Sequence, residues 1–97
     1  MRVELSDEAL ADLVAAADWY IDSQAPLVAE ALHAEVVRAI ARLRQMPLIG
    51  RPAFTAARLW PLHRFPYSIV YRVRDGQVRV IAVMHHSRKP GYWRHRS

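Results

Sequence analysis

The chain has 97 residues, 53% hydrophobic and 24% charged, with no cysteine and a formal net charge of +5. That is enough for one domain with a modest core, and it excludes a disordered chain, a disulfide scaffold and thiol chemistry. No apolar run reaches the roughly 18 residues of a membrane span. The charge is unevenly spread. Residues 1–35 hold one basic side chain (Arg2) against eight acidic ones, a net of −7, whereas residues 36–97 hold thirteen against one (Asp75), a net of +12. A basic C-terminal two-thirds points to nucleic acid, a ribonucleoprotein or an acidic protein as partner. The opening MRVELSDEAL lacks the apolar stretch of a signal peptide, so a cytoplasmic location and no membrane partner are the simple expectations.

Residues 2–5 fit a short first strand. Ser6 is a good N-cap, followed by Asp7 and Glu8, where carboxylates suit the positive end of the helix dipole. Leu10, Leu13, Val14, Ala17, Tyr20 and Ile21 recur at helical spacing, predicting a helix over 7–22 with that stripe buried. SQAP (23–26) breaks it, and Pro26 suits the first turn of a second helix reaching Met46. Its apolar line is Val28, Leu32, Val36, Ala39, Ile40, Leu43 and Met46, with Arg38, Arg42 and Arg44 on the wet side. PLIGRP (47–52) reads as a stop and turn, with Phe54 tucked beneath it as core and Arg51 bonding carbonyls at the helix exit. Arg58–Arg64, interrupted by Pro61, reads as an edge or bulged strand.

Two alternating runs then flank Asp75-Gly76, the strongest short hairpin signal, because a type I′ turn needs positive φ at both central positions. The register it sets pairs Arg74 with Gln77, Arg72 with Arg79, Val70 with Ile81 and Tyr67 with Met84. One face carries Tyr67, Ile69, Tyr71, Val73, Val78, Val80, Ala82 and Met84, and the two helices are its natural cover. The opposite face carries Ser68, Val70, Arg72, Arg74, Arg79, Ile81, Val83 and His85. Like charges set opposite each other destabilise a sheet by some tenths of a kcal/mol, up to ~1. This face, apolar at its centre and rimmed by arginine, therefore reads as a docking surface for something acidic, through Arg72, Arg74, Arg79, Val70 and Ile81. The tail SRKPGYWRHRS leaves the sheet at Pro90-Gly91, with Tyr92-Trp93 pinning it to the body. The architecture expected is α+β, in the order β-α-α-β-β-β: a helical hairpin (about 7–46) on one face of a small, largely antiparallel sheet (about 57–86), followed by a tail (87–97).

In order along the chain come Ala9-Leu10-Ala11-Asp12-Leu13…Trp19-Tyr20-Ile21, Leu43-Arg44-Gln45-Met46-Pro47-Leu48-Ile49-Gly50-Arg51-Pro52, Tyr67–Val73 (YSIVYRV) and Val80–Trp93 (VIAVMHHSRKPGYW). No single piece is specific, but the ordered series of P-x-x-G-R, Y-x-I-x-Y and H-x-x-R-x-P-x-Y-W resembles the ParE/RelE superfamily of small toxins from bacterial type II toxin–antitoxin modules, over essentially the whole chain. The resemblance implies a toxin neutralised by a cognate antitoxin, and no cofactor. It leaves two activities open. ParE-like members inhibit DNA gyrase without known hydrolytic chemistry; RelE-like members cleave mRNA in the ribosomal A site with basic residues and a tyrosine. Aligned on Y-x-I-V-Y, the two RelE-like arginines fall on Ser68 and His86 and the tyrosine on Tyr92. A nuclease reading therefore rests on His86 as acid or base, Arg88 on the phosphate and Tyr92. The Pro-Gly-Tyr-Trp ending is closer to ParE-type sequences, so gyrase is the first expectation, with the ribosome and mRNA, or a purely regulatory homologue, as alternatives.

Other residues keep plain readings. Tyr67 and Tyr71 read as core and Trp93 as a packing anchor, while Tyr92 is either a tail anchor or functional. His85 and His86, being adjacent, point to opposite faces. His33, His63 and His95 are scattered without zinc-ligand spacing, so no metal is expected. Trp19 lies off the first helix's stripe and is either a partner contact or packed under the loop before Arg58.

Overall fold

The computed structural model describes residues 1–97, and its elements fall close to where the local signals put them. They are β1 (Arg2–Leu5), α1 (Asp7–Asp22), α2 (Pro26–Gln45), β2 (Arg51–Pro52), a 3-10 turn (Phe54–Ala56), β3 (Arg58–Pro61), β4 (Tyr67–Arg74) and β5 (Gln77–His85). Ser6 caps α1, its Oγ accepting from Ala9 N at 3.1 Å, and Pro26 opens α2. Asp75 and Gly76 both take positive φ, 53° and 75°, as a type I′ hairpin turn requires. No helix is long and apolar enough to cross a membrane.

The strands form one five-stranded sheet in the order β1-β5-β4-β3-β2. All neighbours are antiparallel except β1, which runs parallel to β5 with Arg2 beside Gln77 and Leu5 beside Val80. The segment expected only to turn supplies the extra two-residue strand β2, paired to β3. The helical hairpin covers one face. Leu32, Val36, Ala39 and Leu43 of α2 and Ala9 and Ala16 of α1 meet Tyr67, Ile69, Tyr71, Val78, Val80 and Val83. Burying a leucine such as Leu32 contributes about 1.5–3 kcal/mol.

Three expectations are corrected here. The first concerns α1, which buries Ala9 and Ala16 with Leu13 and Tyr20 packed beside them, while Leu10, Val14 and Ile21 are about half exposed. It docks through its alanines, whose small side chains let the helix sit close, so its buried line is turned away from the expected stripe. Next, Phe54 is 53% exposed rather than core; its ring stands on the surface turn, with its centroid 6.4 Å from that of Trp93. Finally, the role assigned to Arg51 belongs to Arg58, whose Nη1 donates to Leu48 O at 3.2 Å and Gly50 O at 2.7 Å.

The hairpin carries a further departure. Register runs as expected from Arg74–Gln77 through Tyr71–Val80, and then Val70 pairs with Ala82. Ile81 is thus an extra residue, a β-bulge. Beyond it every partner slips by one, with Ile69 opposite Val83, Ser68 opposite Met84 and Tyr67 opposite His85. Because side chains alternate, the slip turns Val83 and His85 to the helix side and Ala82 and Met84 to the other. Val83 joins the main core, and Ala82 joins Val70, Ile81, Ala57 and Trp93 in a second one, with Met84 packed against it.

Candidate functional site

Strand β1 ends opposite Val80, so the rest of β5 has no strand beside it on that edge. An unpaired edge leaves main-chain groups to be satisfied, and two side chains do this at the bulge. Asp12 Oδ2, from α1, accepts from Val83 N at 3.0 Å. Arg96 Nη1, from the tail, donates to Ile81 O at 3.1 Å and to Asp12 Oδ2 at 2.7 Å; its Nε lies 3.6 Å from Glu8. Burial opposes the charged form of the Arg96 guanidinium, but the hydrogen bond and charge of Asp12 outweigh it and raise its pKa. The tail is buckled to the sheet edge by this pair.

Beside the buckle a cleft of about 520 Å³ opens between α1 and the chain after β5. Trp19 and Tyr20 wall it on the α1 side, Tyr67 and His85 line its sheet side, and Arg88 and Tyr92 belong to the far wall. His85 meets Tyr67 edge to face, with centroids 4.9 Å apart. Trp19 is 62% exposed, so of its two readings the exposed one describes its position. The Arg88 guanidinium carbon lies 3.9 Å from the centroid of the Tyr92 ring. Burial first, and then the Asp12 charge, push the Tyr92 phenol up against the opposing pull of Arg96 and Arg88. It therefore holds its proton at neutral pH.

His86 leaves in the other direction. Its Nε2 is 2.8 Å from Ser68 Oγ, and it lines a separate cavity of about 320 Å³ with Arg51, Phe54, Met84 and Trp93. Arg88 borders both cavities, but His86 and Tyr92 share neither. The three residues of the nuclease reading are thus not gathered round one cavity. Tyr92 shares its cleft instead with His85, which was expected on the opposite sheet face, and with Asp12, which did not stand out in the sequence. The bulge that turns His85 inward leaves no local signal, and Asp12 gains its role from a residue 84 positions away.

The sheet face expected to be open is covered by the chain itself. Trp93 sits on Val70, Ile81 and Ala82, all completely or almost completely buried. Val70 and Ile81 are therefore core, inaccessible to a partner in this conformation. The arginines that rim the face fasten the cover. Arg72 donates through Nε to Thr55 O at 3.0 Å, through Nη2 to Thr55 Oγ1 at 2.5 Å and Arg94 O at 3.4 Å, and through Nη1 to Arg96 O. Arg79 bonds Ser97 O at 3.0 Å and Glu4 Oε1 at 2.8 Å. Arg74 is exposed at the hairpin end.

A helical hairpin covers one face of a five-stranded mixed sheet, with a tail buckled across the other, an α+β fold that comparison with known proteins places in a family. The family model described as ParE toxin of type II toxin–antitoxin system, parDE, matches residues 3–90. The chain belongs to this ParE toxin family. Among solved structures it is similar to a chain of the chromosomal ParDE toxin–antitoxin system from P. aeruginosa, with a TM-score of 0.78 and 27% identity, over 88% of this chain and 95% of that one. Comparison with curated protein sequences returned no match.

Proposed function

We propose that this ParE-family chain acts as a toxin on DNA gyrase and is neutralised by a cognate antitoxin. The observation that carries the choice of gyrase over RNA cleavage is the separation of His86 from Tyr92 into different cavities. General acid–base cleavage of RNA needs a proton donor and acceptor within reach of one phosphodiester. Here Ser68, buried and bonded to His86, stands where the resemblance implies a cation. Tyr92 is held as a neutral phenol with no base bonded to it. The docking place we assign to the antitoxin is the cleft beside α1. Its wall carries the exposed indole of Trp19, it is mostly apolar, and it adjoins the stretch of β5 that no strand covers. The antitoxin segment it suits carries apolar anchors, with an acidic group for Arg88. Arg72, Arg74 and Arg79 make a second, predominantly basic contact region.

The test adds the purified chain to a gyrase supercoiling reaction and to translating ribosomes whose mRNA is mapped by primer extension. Loss of supercoiling with intact mRNA is expected. Addition of the antitoxin restores supercoiling, and Trp19→Ala raises the antitoxin concentration needed by tenfold or more, the scale of an aromatic anchor. Cuts within A-site codons that disappear in Tyr92→Phe would replace this reading with the ribosome-dependent nuclease.

A further inference from the structure

The end of the hairpin holds a cleft of about 290 Å³ that differs in kind from the one beside α1. Its lining includes Arg72, Arg74, Arg79 and Arg96, with Asp75 at the turn and Ile81 as its one hydrophobic residue. Ile81 is already buried under Trp93, so an amphipathic peptide finds nothing here to anchor an apolar side chain. The four arginines are not equally compensated. Arg96 has Asp12 and Glu8, and Arg79 has Glu4. Arg72 bonds only neutral oxygens of Thr55, Arg94 and Arg96, and no salt bridge or side-chain hydrogen bond fixes Arg74.

Arg72 also stands directly across from Arg79. Burial, and then the charge of Arg74, disfavour its protonated form. Of these three guanidiniums only Arg79 has a carboxylate on it, so Arg72 and Arg74 stand together without a paired anion. Planar guanidinium forks suit phosphate oxygens. Arg72 and Arg74 lie two residues apart on one strand, a rise of about 6.6–6.8 Å, on the scale of the step between neighbouring phosphates of one nucleic-acid strand. The acidic side chains of α1 lie on the helix layer, so a polyanion approaching the hairpin end meets the basic side of the molecule.

We infer that this arginine cleft binds the phosphodiester backbone of duplex DNA, through Arg74 and Arg79 with Arg72 behind them. Such contact is independent of base sequence and strongly dependent on salt. It goes beyond the gyrase reading and stands or falls separately from it, because DNA binding is measured without gyrase or antitoxin.

The experiment titrates the full chain into a short fluorescent DNA duplex at about 50 mM and 200 mM salt. The variant is Arg74→Glu, which alters an exposed side chain at the turn. The control is Arg42→Glu, the same charge change on the wet side of α2. Binding to the duplex is expected, weakened by about tenfold or more in Arg74→Glu and by distinctly less in the control. The slope of log affinity against log salt should fall by about 0.9 for each phosphate that the variant no longer neutralises. Absence of duplex binding at the lower salt would overturn the proposal, and so would equal weakening in the two variants, which would reduce the effect to net charge. A poly-glutamate peptide that binds more tightly than the duplex would overturn it in favour of an acidic protein ligand.

Discussion

Gly50 has room for no side chain. A Cβ there would meet Tyr71 Oη at 2.6 Å and Leu59 O at 2.8 Å, while its own N–H donates to that Tyr71 hydroxyl at 2.8 Å. Gly50→Ala should therefore lower the unfolding free energy by about 2 kcal/mol, the order of an overpacked core site, read as a shifted urea midpoint at unchanged slope; a midpoint within error of the wild type would mean the loop gives way freely. The buried phenols make a second statement at this scale. Burial raises the pKa of Tyr67, Tyr71 and Tyr92 above its ordinary value near 10. A raised folded pKa means the native state keeps protons that the unfolded chain has released. Their contribution is thus fully present below about pH 10 and is lost as pH rises through the folded values. Urea midpoints should be level from pH 8 to 9.5 and fall above about 10, less steeply in Tyr71→Phe; an identical fall in that variant would assign the effect to other groups.

At the level of elements, Asp12 and Arg96 together join α1, β5 and the tail. The pair is mostly buried, with side-chain exposures of 16% and 18%, and Asp12→Ala would leave the Val83 N–H without a partner and the guanidinium with only Ile81 O and the more distant Glu8. A loss of about 2 kcal/mol is expected. The double variant Asp12→Ala/Arg96→Met should lose less than the sum of the two singles; strict additivity in a denaturant cycle would show that the two do not act as a unit. None of this was legible in the sequence, whereas both helices and the hairpin were. The difference is one of range. Ser6, Pro26 and Asp75-Gly76 act on neighbours within a few residues, so their signals are local. The bulge at Ile81 and the docking of Trp93 are decided by contacts with residues far along the chain. The site was legible to the same degree: Trp19 stands exposed, but Val70 and Ile81 are core, because the tail that covers them cannot be folded back from composition alone. Arg58 replaces Arg51 beneath the loop for a like reason, since the pairing of Pro52 with Arg58 is a matter of strand register.

For the whole molecule, the charge asymmetry of the sequence becomes a difference between α1 and the rest of the fold. Asp7, Glu8, Asp18 and Asp22 ride on α1, and the arginines lie on the far half of α2, the sheet, the hairpin end and the tail. Two clefts of different chemistry follow, one apolar and aromatic beside α1 and one basic at the turn. The parallel pairing of β1 with β5 has a consequence in time as well as in space. Residues 2–5 find their neighbours at 77–80, so β1 waits for β5, the last of the five strands. Closing a loop of that length has an entropic cost that must be met before the contacts reward it. The helical hairpin can form early, but the sheet cannot be completed until residues 77–85 are present, nor the tail buckled across it until Arg96 is. A nascent chain of this toxin is therefore without its arginine cleft and without its aromatic one, and both come into being together, after synthesis has brought the two ends of the chain within reach.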